Sequence, residues 1–181
     1  ALNLAKSRVI SPKVFEFTDF LVNHLKAIDF NATFKHRVTF HDSCAGLREY
    51  GVKKEPRVLL NKVKGLELLE MECTETCCGF GGTFAAKFHS ISAAMTEQKV
   101  EHALKTGAEY IVSTEASCLL NIEAYTKKQK LPLKTIHLAD ILAAGNCSGR
   151  CRFPGHCSRP DCSAAGSAQQ SFAERAGADY R

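Results

Sequence analysis

No run of eighteen apolar residues occurs in this chain, so no segment is expected to cross a membrane as a helix. The opening residues, ALNLAKSRVISPK, lack the apolar stretch of a secretory signal, and a cytoplasmic location is expected. A strong charge of one sign is also missing. The 24 basic and 19 acidic residues leave a net charge of +5, and the basic residues are scattered, with several arginines in the C-terminal tail. Such a distribution reads as a solvated surface and excludes a nucleic-acid footprint. Tryptophan is absent altogether. The chain starts at Ala1 rather than at a methionine, and a further N-terminal portion is expected elsewhere.

What the chain has in excess is cysteine, nine in 181 residues. Many cysteines can mean a disulfide framework, but such frameworks belong to short chains with a secretory signal. Clustered cysteines in a cytoplasmic chain point to bound metal or redox chemistry. With 45% hydrophobic and 24% charged residues, the remaining composition is that of an ordinary globular domain.

Residues 1–34 read as a helix linking domains, with Ser11 as an N-cap and Pro12 at the first helical position. Val14, Phe17, Phe20, Leu21 and Leu25 give it one apolar face. From Arg37 the pattern alternates between strands and helices. Short β-rich runs at 37–40, 66–71, 110–113 and 134–137 are predicted as strands, with helices at 56–63, 91–105, 119–128 and 138–144. Gly107 ends the second of these helices as a C-cap. The predicted class is α/β, a mostly parallel sheet of about four strands with helices on both faces, over residues 35–145. Residues 146–181 are rich in Gly, Ser, Ala and Arg and read as a disordered or non-native extension. That tail holds Cys147, Cys151, Cys157 and Cys162, for which a zinc site is conceivable although no CxxC pair is present.

The domain's own cysteines fall at telling places. Cys44 follows the first strand, Cys77 and Cys78 the second, and Cys118 the third. In a parallel sheet all strand C-termini open on one edge, where ligands bind. Four thiols from three distant segments should therefore meet there. The loop Cys77-Cys78-Gly79-Phe80-Gly81-Gly82 strengthens this expectation. Its glycines permit positive φ and let backbone N–H groups approach an anionic centre, so Gly79, Gly81 and Gly82 are predicted to cradle the cofactor. Four thiolates suit an iron–sulfur cluster or tetrahedral zinc. A metal-free thiol–disulfide enzyme using the Cys77–Cys78 region is a third possibility, disfavoured because redox motifs prefer CxxC. Cys73 reads as a buried small hydrophobe.

His41 and Asp42 precede Cys44 at the same edge and are candidates for acid–base work or for supporting the metal ligands. The competing reading makes Asp42 a turn cap and His41 a satisfied strand-end residue. Arg48 is a candidate for meeting a substrate carboxylate, with a surface role as the alternative, and Lys87 stands likewise. His89, His102 and His137 read as structural or solvated.

Several motifs occur in a fixed order: HDSC at 41–44, CCGFGGTF at 77–84, KF at 87–88, ISAAM at 91–95, ASCLLNI at 116–122 and HLADILA at 137–143. Over residues 8–145 the chain resembles the cysteine-rich CCG-domain proteins, and within them the lactate-utilisation protein A family. Relatives include the iron–sulfur subunit of glycolate oxidase and the CCG-domain subunit of heterodisulfide reductase. Members usually carry two such domains in tandem, and this chain resembles the second. The resemblance implies metal ligands at Cys44, Cys77, Cys78 and Cys118 and a 4Fe–4S cluster. It further implies a cytoplasmic complex that oxidises L-lactate, a small 2-hydroxy acid, to pyruvate, with partner subunits that include a ferredoxin-like iron–sulfur protein. In the wider family the motif ends in CxxC. Here the stretch is Cys118-Leu119-Leu120-Asn121, so a fifth thiolate is missing and an ordinary four-thiolate cluster is the simpler expectation.

Overall fold

A computed structural model describes residues 2–144. The zinc reading of the tail cysteines lies outside the described residues.

Helix α1 (Leu2–Ile10) opens the chain, and a 3-10 turn follows at Ser11–Lys13. The single long helix expected here is interrupted. Proline has no N–H to offer and its ring clashes with the preceding helical turn, so Pro12 stops α1. Val14 and Glu16 are then extended, and the Glu16 carboxylate accepts hydrogen bonds from Thr18 N (2.7 Å) and Asp19 N (3.1 Å). That cap starts a new helix, α2 (Phe17–Asp19), which continues as a π turn over Phe20–His24. Of the expected apolar face only Leu21 is buried; Val14, Phe17, Phe20 and Leu25 are exposed.

Four strands follow, β1 (Arg37–Phe40), β2 (Glu67–Leu68), β3 (Tyr110–Ser113) and β4 (Lys134–His137). Every pairing is parallel, in the order β2-β1-β3-β4. The second strand is two residues long rather than six. It lies at the sheet edge, and although Leu69 N still donates to Val38 O (2.8 Å), the chain leaves the sheet before Cys73, which sits at φ +54°. Between β1 and β2 lie α3 (Cys44–Glu49) and α4 (Glu55–Leu60); α5 (Thr83–Lys87) and α6 (His89–Lys105) precede β3. Helix α7 (Ala116–Lys128) precedes β4, and α8 (Leu138–Ala143) closes the described fold.

Alternation along the strands separates two cores. Val38, Phe40, Tyr110, Val112 and Ile136 face Leu59 and Leu60 of α4 and Leu138, Ile141 and Leu142 of α8. On the other face Ile111 meets Val100 and Ala103 of α6 and Ile122 of α7, and this second core also contains Cys78 and Cys118. Helices therefore cover both faces, as expected, and the strand C-termini open on one edge. Among the described residues no helix is long and apolar enough to cross a membrane.

Candidate metal centre

The sheet edge is built from backbone contacts before any functional side chain is considered. His41 extends β1 by one residue: its N–H donates to Val112 O (2.8 Å), and its carbonyl accepts from Ser113 Oγ (3.0 Å). Both bonds tie it to β3. Asp42 N–H donates to Thr74 O (3.2 Å), fastening the end of β1 to the cysteine loop. Ser43 then caps α3 by accepting from Gly46 N (3.1 Å), which leaves Cys44 as the first residue of that helix, with its side chain exposed.

The loop from Cys77 to Gly82 has the backbone its glycines require, with φ of +90° at Gly79, +50° at Gly81 and +58° at Gly82. A side chain at Gly79 would collide with the Ser92 carbonyl, since a Cβ there would lie 2.5 Å from that oxygen. The close approach lets α6 hold the loop. Ser92 Oγ donates to Gly79 O (2.8 Å) and Thr96 Oγ1 to Cys78 O (2.8 Å). Asn121 of α7 completes the brace, donating from Nδ2 to Cys78 O (3.0 Å) and to Thr96 Oγ1 (2.9 Å). Asn121 is one helical turn beyond Cys118 and shares its face. Where the wider motif has a fifth cysteine, this chain has a clamp on the backbone of Cys78. Gly79 is buried; Gly81 and Gly82 are exposed.

Cys78 and Cys118 converge, the first from the loop and the second from the opening turn of α7 rather than from a loop ahead of it. His41 joins them. One ligand atom from each of His41, Cys78 and Cys118 lies within 4.8 Å of the other two, and all three side chains are buried. Among the described residues this is the one such group of histidine, cysteine or carboxylate side chains. Cys44 and Cys77 stand outside it. Cys44 is nevertheless close enough for its charge to bear on Cys118. Gly79 N–H points at Cys77 Sγ (3.4 Å). Cys73, expected inside, is exposed, because its left-handed backbone turns the chain outward at the sheet edge.

The electrostatics favour an electron-rich donor set. A hydrogen bond from Cys118 holds the Cys78 thiol well below its ordinary pKa, with further help from the nearby His41 ring and the Phe80 N–H. The same bond, together with burial, pushes Cys118 up. The pair thus shares one proton, and a metal ion would displace it. Lys99 of α6 is 1% exposed and donates to the carbonyls of Cys73 (2.6 Å) and Thr74 (3.1 Å). Burial lowers its pKa to about 8, against the pull of Cys73, Asp42, Cys78 and Cys77. Arg57 of α4 grips both oxygens of Asp42 at 2.9 Å each and also reaches Glu70. Burial works against the Arg57 charge, but those carboxylates hold its pKa above the ordinary value.

Arg57, Lys99 and Asn121 are not among the site residues expected from the sequence, although Asn121 marks a departure from the motif. Arg48 and Lys87 do not enter the group; Lys87 and His89 are exposed, and Arg48 lies on the last turn of α3. His137 is structural as expected: its Nδ1 caps Ala139 N (3.1 Å), and its Nε2 lies 3.0 Å from Thr114 O.

The donor chemistry fits a transition-metal centre. Two thiols and an imidazole are soft or borderline ligands suited to iron or zinc. The buried His41 ring has no nitrogen or oxygen hydrogen-bond partner and bears on the Cys78 thiol, so a shared electron-pair acceptor would suit both groups.

Residues 38–123 match the cysteine-rich domain family CCG. The chain is 41% identical over 138 residues to "Lactate utilization protein A" of Geobacillus sp. (strain WCH70), covering 76% of this chain and 58% of the relative. The protein of the same name from Lysinibacillus sphaericus (strain C3-41) is 39% identical over 138 residues, covering 76% of this chain and 60% of that protein. Its namesake from Bacillus subtilis (strain 168) is 41% identical over 137 residues, with 76% and 58% covered. The chain thus spans somewhat under two thirds of the length of these relatives.

Proposed function

Because residues 38–123 form a cysteine-rich CCG domain, we propose that this chain holds an iron–sulfur cluster at the C-terminal edge of its sheet and serves as a redox subunit of a cytoplasmic lactate-oxidising complex. One observation carries the reading: Cys78 and Cys118, forty residues apart, converge beside His41 in one buried group. The similarity to proteins named for lactate utilisation supports the pathway. Cys77 and Cys44, on the loop and on α3 beside the pocket, are the candidates to complete a four-thiolate set. Gly79, Gly81 and Gly82 let the loop backbone wrap the centre, and hydrogen bonds from that backbone tune its potential.

When bound, such a cluster moves single electrons. Lactate oxidation releases two electrons and protons, so this domain acts with partner subunits, among them a ferredoxin-like iron–sulfur protein. What the chain's own residues do is hold and shield. The Asn121, Thr96 and Ser92 brace fixes the Cys78 backbone. The Asp42–Arg57 pair ties β1 to α4. With both carboxylate oxygens of Asp42 engaged by Arg57, positioning suits it better than acid–base work. Arg48, exposed on the last turn of α3, is the candidate to meet the carboxylate of a substrate.

The mixed nitrogen and sulfur donors favour a second reading, a zinc site in a docking domain of the same complex, because such sets are ordinary for zinc. Iron, acid-labile sulfide and zinc analysis of anaerobically purified chain separates the two. Equal amounts of iron and sulfide support the cluster. Zinc without sulfide selects the docking domain, and absence of both ends either reading.

A further inference from the structure

We propose that His41 is itself a ligand of the metal centre, so that the site is a mixed nitrogen–sulfur centre and not an all-thiolate one. The inference rests on the metal-binding reading above and goes beyond its four cysteines.

Buried polar side-chain atoms almost always find partners, and each exception calls for a cause. His41 is 1% exposed, and neither Nδ1 nor Nε2 has a nitrogen or oxygen hydrogen-bond partner; the polar group its ring bears on is the Cys78 thiol. A neutral imidazole carries one donor and one bare acceptor nitrogen. Filling space does not explain the residue, since an apolar ring would occupy the same volume without burying two ring nitrogens beside thiols.

The ring is also placed with care. Two hydrogen bonds to β3, through His41 N–H and His41 O, fix its backbone on the central strands. Sheet backbone of this kind is a rigid base for a ligand. One ring nitrogen, Cys78 Sγ and Cys118 Sγ all lie within 4.8 Å of one another. Donors bound to one tetrahedral ion stand roughly 3.5–4 Å apart. Binding a metal would give the ring nitrogen an electron-pair acceptor between the two sulfurs. At a single ion one further thiolate, from Cys44 or Cys77, would complete four-coordination; in a cluster the same side chains would each hold an iron of their own.

The predicted donor class is the same whether the ion is zinc or the iron of a cluster, and X-ray absorption distinguishes them. Spectra are collected at both edges on anaerobically purified chain, on His41→Ala and on His41→Cys. The expected result is an imidazole nitrogen shell in the wild type, at whichever edge carries the metal. His41→Cys keeps the metal but shows sulfur in place of nitrogen. His41→Ala loses metal affinity roughly tenfold or more, as disturbed ligand shells do. An all-sulfur shell in the wild type overturns the inference while leaving the metal-binding function intact. A nitrogen shell that persists in His41→Cys overturns it equally. Absence of metal from the wild type removes the inference and the function together. Should His41→Ala fail to fold, the wild-type and His41→Cys spectra still decide.

Discussion

The two faces of the sheet use the same strands for different ends. One face is closed by Phe40, Val112 and Ile136 against Leu59, Leu60, Leu138 and Ile141, and its core contains no cysteine. The other shares its core with Cys78 and Cys118, and polar groups crowd its upper end. The first face stabilises by burial and close packing. The second gives up apolar area to hold buried polar groups, and it tolerates them because Asn121, Thr96, Ser92 and Lys99 each find carbonyls of the cysteine loop. His41, like Thr39 Oγ1 and His102 Nδ1, lacks such a partner, and of these it alone stands with the two buried thiols.

That contrast can be broken in several places. The largest expected effect is on the cysteine face: Cys78→Ser should abolish metal binding, read as metal per chain, while the metal-free protein melts within a few degrees of the wild type. On the aliphatic face, Leu59→Ala should do the reverse, costing about 2–5 kcal/mol in chemical denaturation with metal stoichiometry unchanged in the folded fraction. Asp42→Asn should affect both, since the pair with Arg57 joins β1 to α4 beside the pocket. Half-breaking a buried ion pair costs about 3–5 kcal/mol, softened here because Glu70 still holds Arg57. Asn121→Ala removes two hydrogen bonds and leaves the Cys78 carbonyl to Thr96 alone. A loss of about 1–3 kcal/mol is expected by urea titration, with weaker metal retention.

The smallest effect concerns pH. Lys99 has a pKa of about 8 in the folded chain against 10.5 ordinarily. Between those values the unfolded chain binds a proton that the folded chain has released, so this residue makes the metal-free protein more stable as pH rises from about 8 towards 10.5. Lys99→Met should remove that slope. Thermal melts of both proteins across the window measure it, and parallel curves would show that Lys99 contributes nothing.

Much of this arrangement is readable in the sequence, and the reasons are local. Strands β1, β3 and β4 match their predicted limits because RVTF, YIVS and KTIH are β-rich runs bounded by polar residues or helix starts. The positive φ values at Gly79, Gly81 and Gly82 follow from glycine itself. Features that depend on distant contacts are not readable. Helical spacing at Val14–Leu25 suggests one helix, but Pro12 and the Glu16 cap divide it. Lys99 offers a signal, since it falls on the stripe of Ser92, Thr96, Val100 and Ala103 that turns inward on α6. A lysine on a buried stripe needs acceptors, and only the fold shows that they are the carbonyls of Cys73 and Thr74. Arg57 gives none, because its partners Asp42 and Glu70 come from separate segments. His41 can be named from its place beside Cys44, but its lack of partners is a property of the packed structure.

Substituting the cysteines singly and measuring iron and sulfide in the anaerobically purified chain tests the central claim most directly. Cys78→Ser and Cys118→Ser should each lose the cluster, because both thiols face one buried pocket, whereas Cys73→Ser, exposed and turned away, should keep it. Iron and sulfide unchanged in the first two variants, or lost only in the third, would contradict the account.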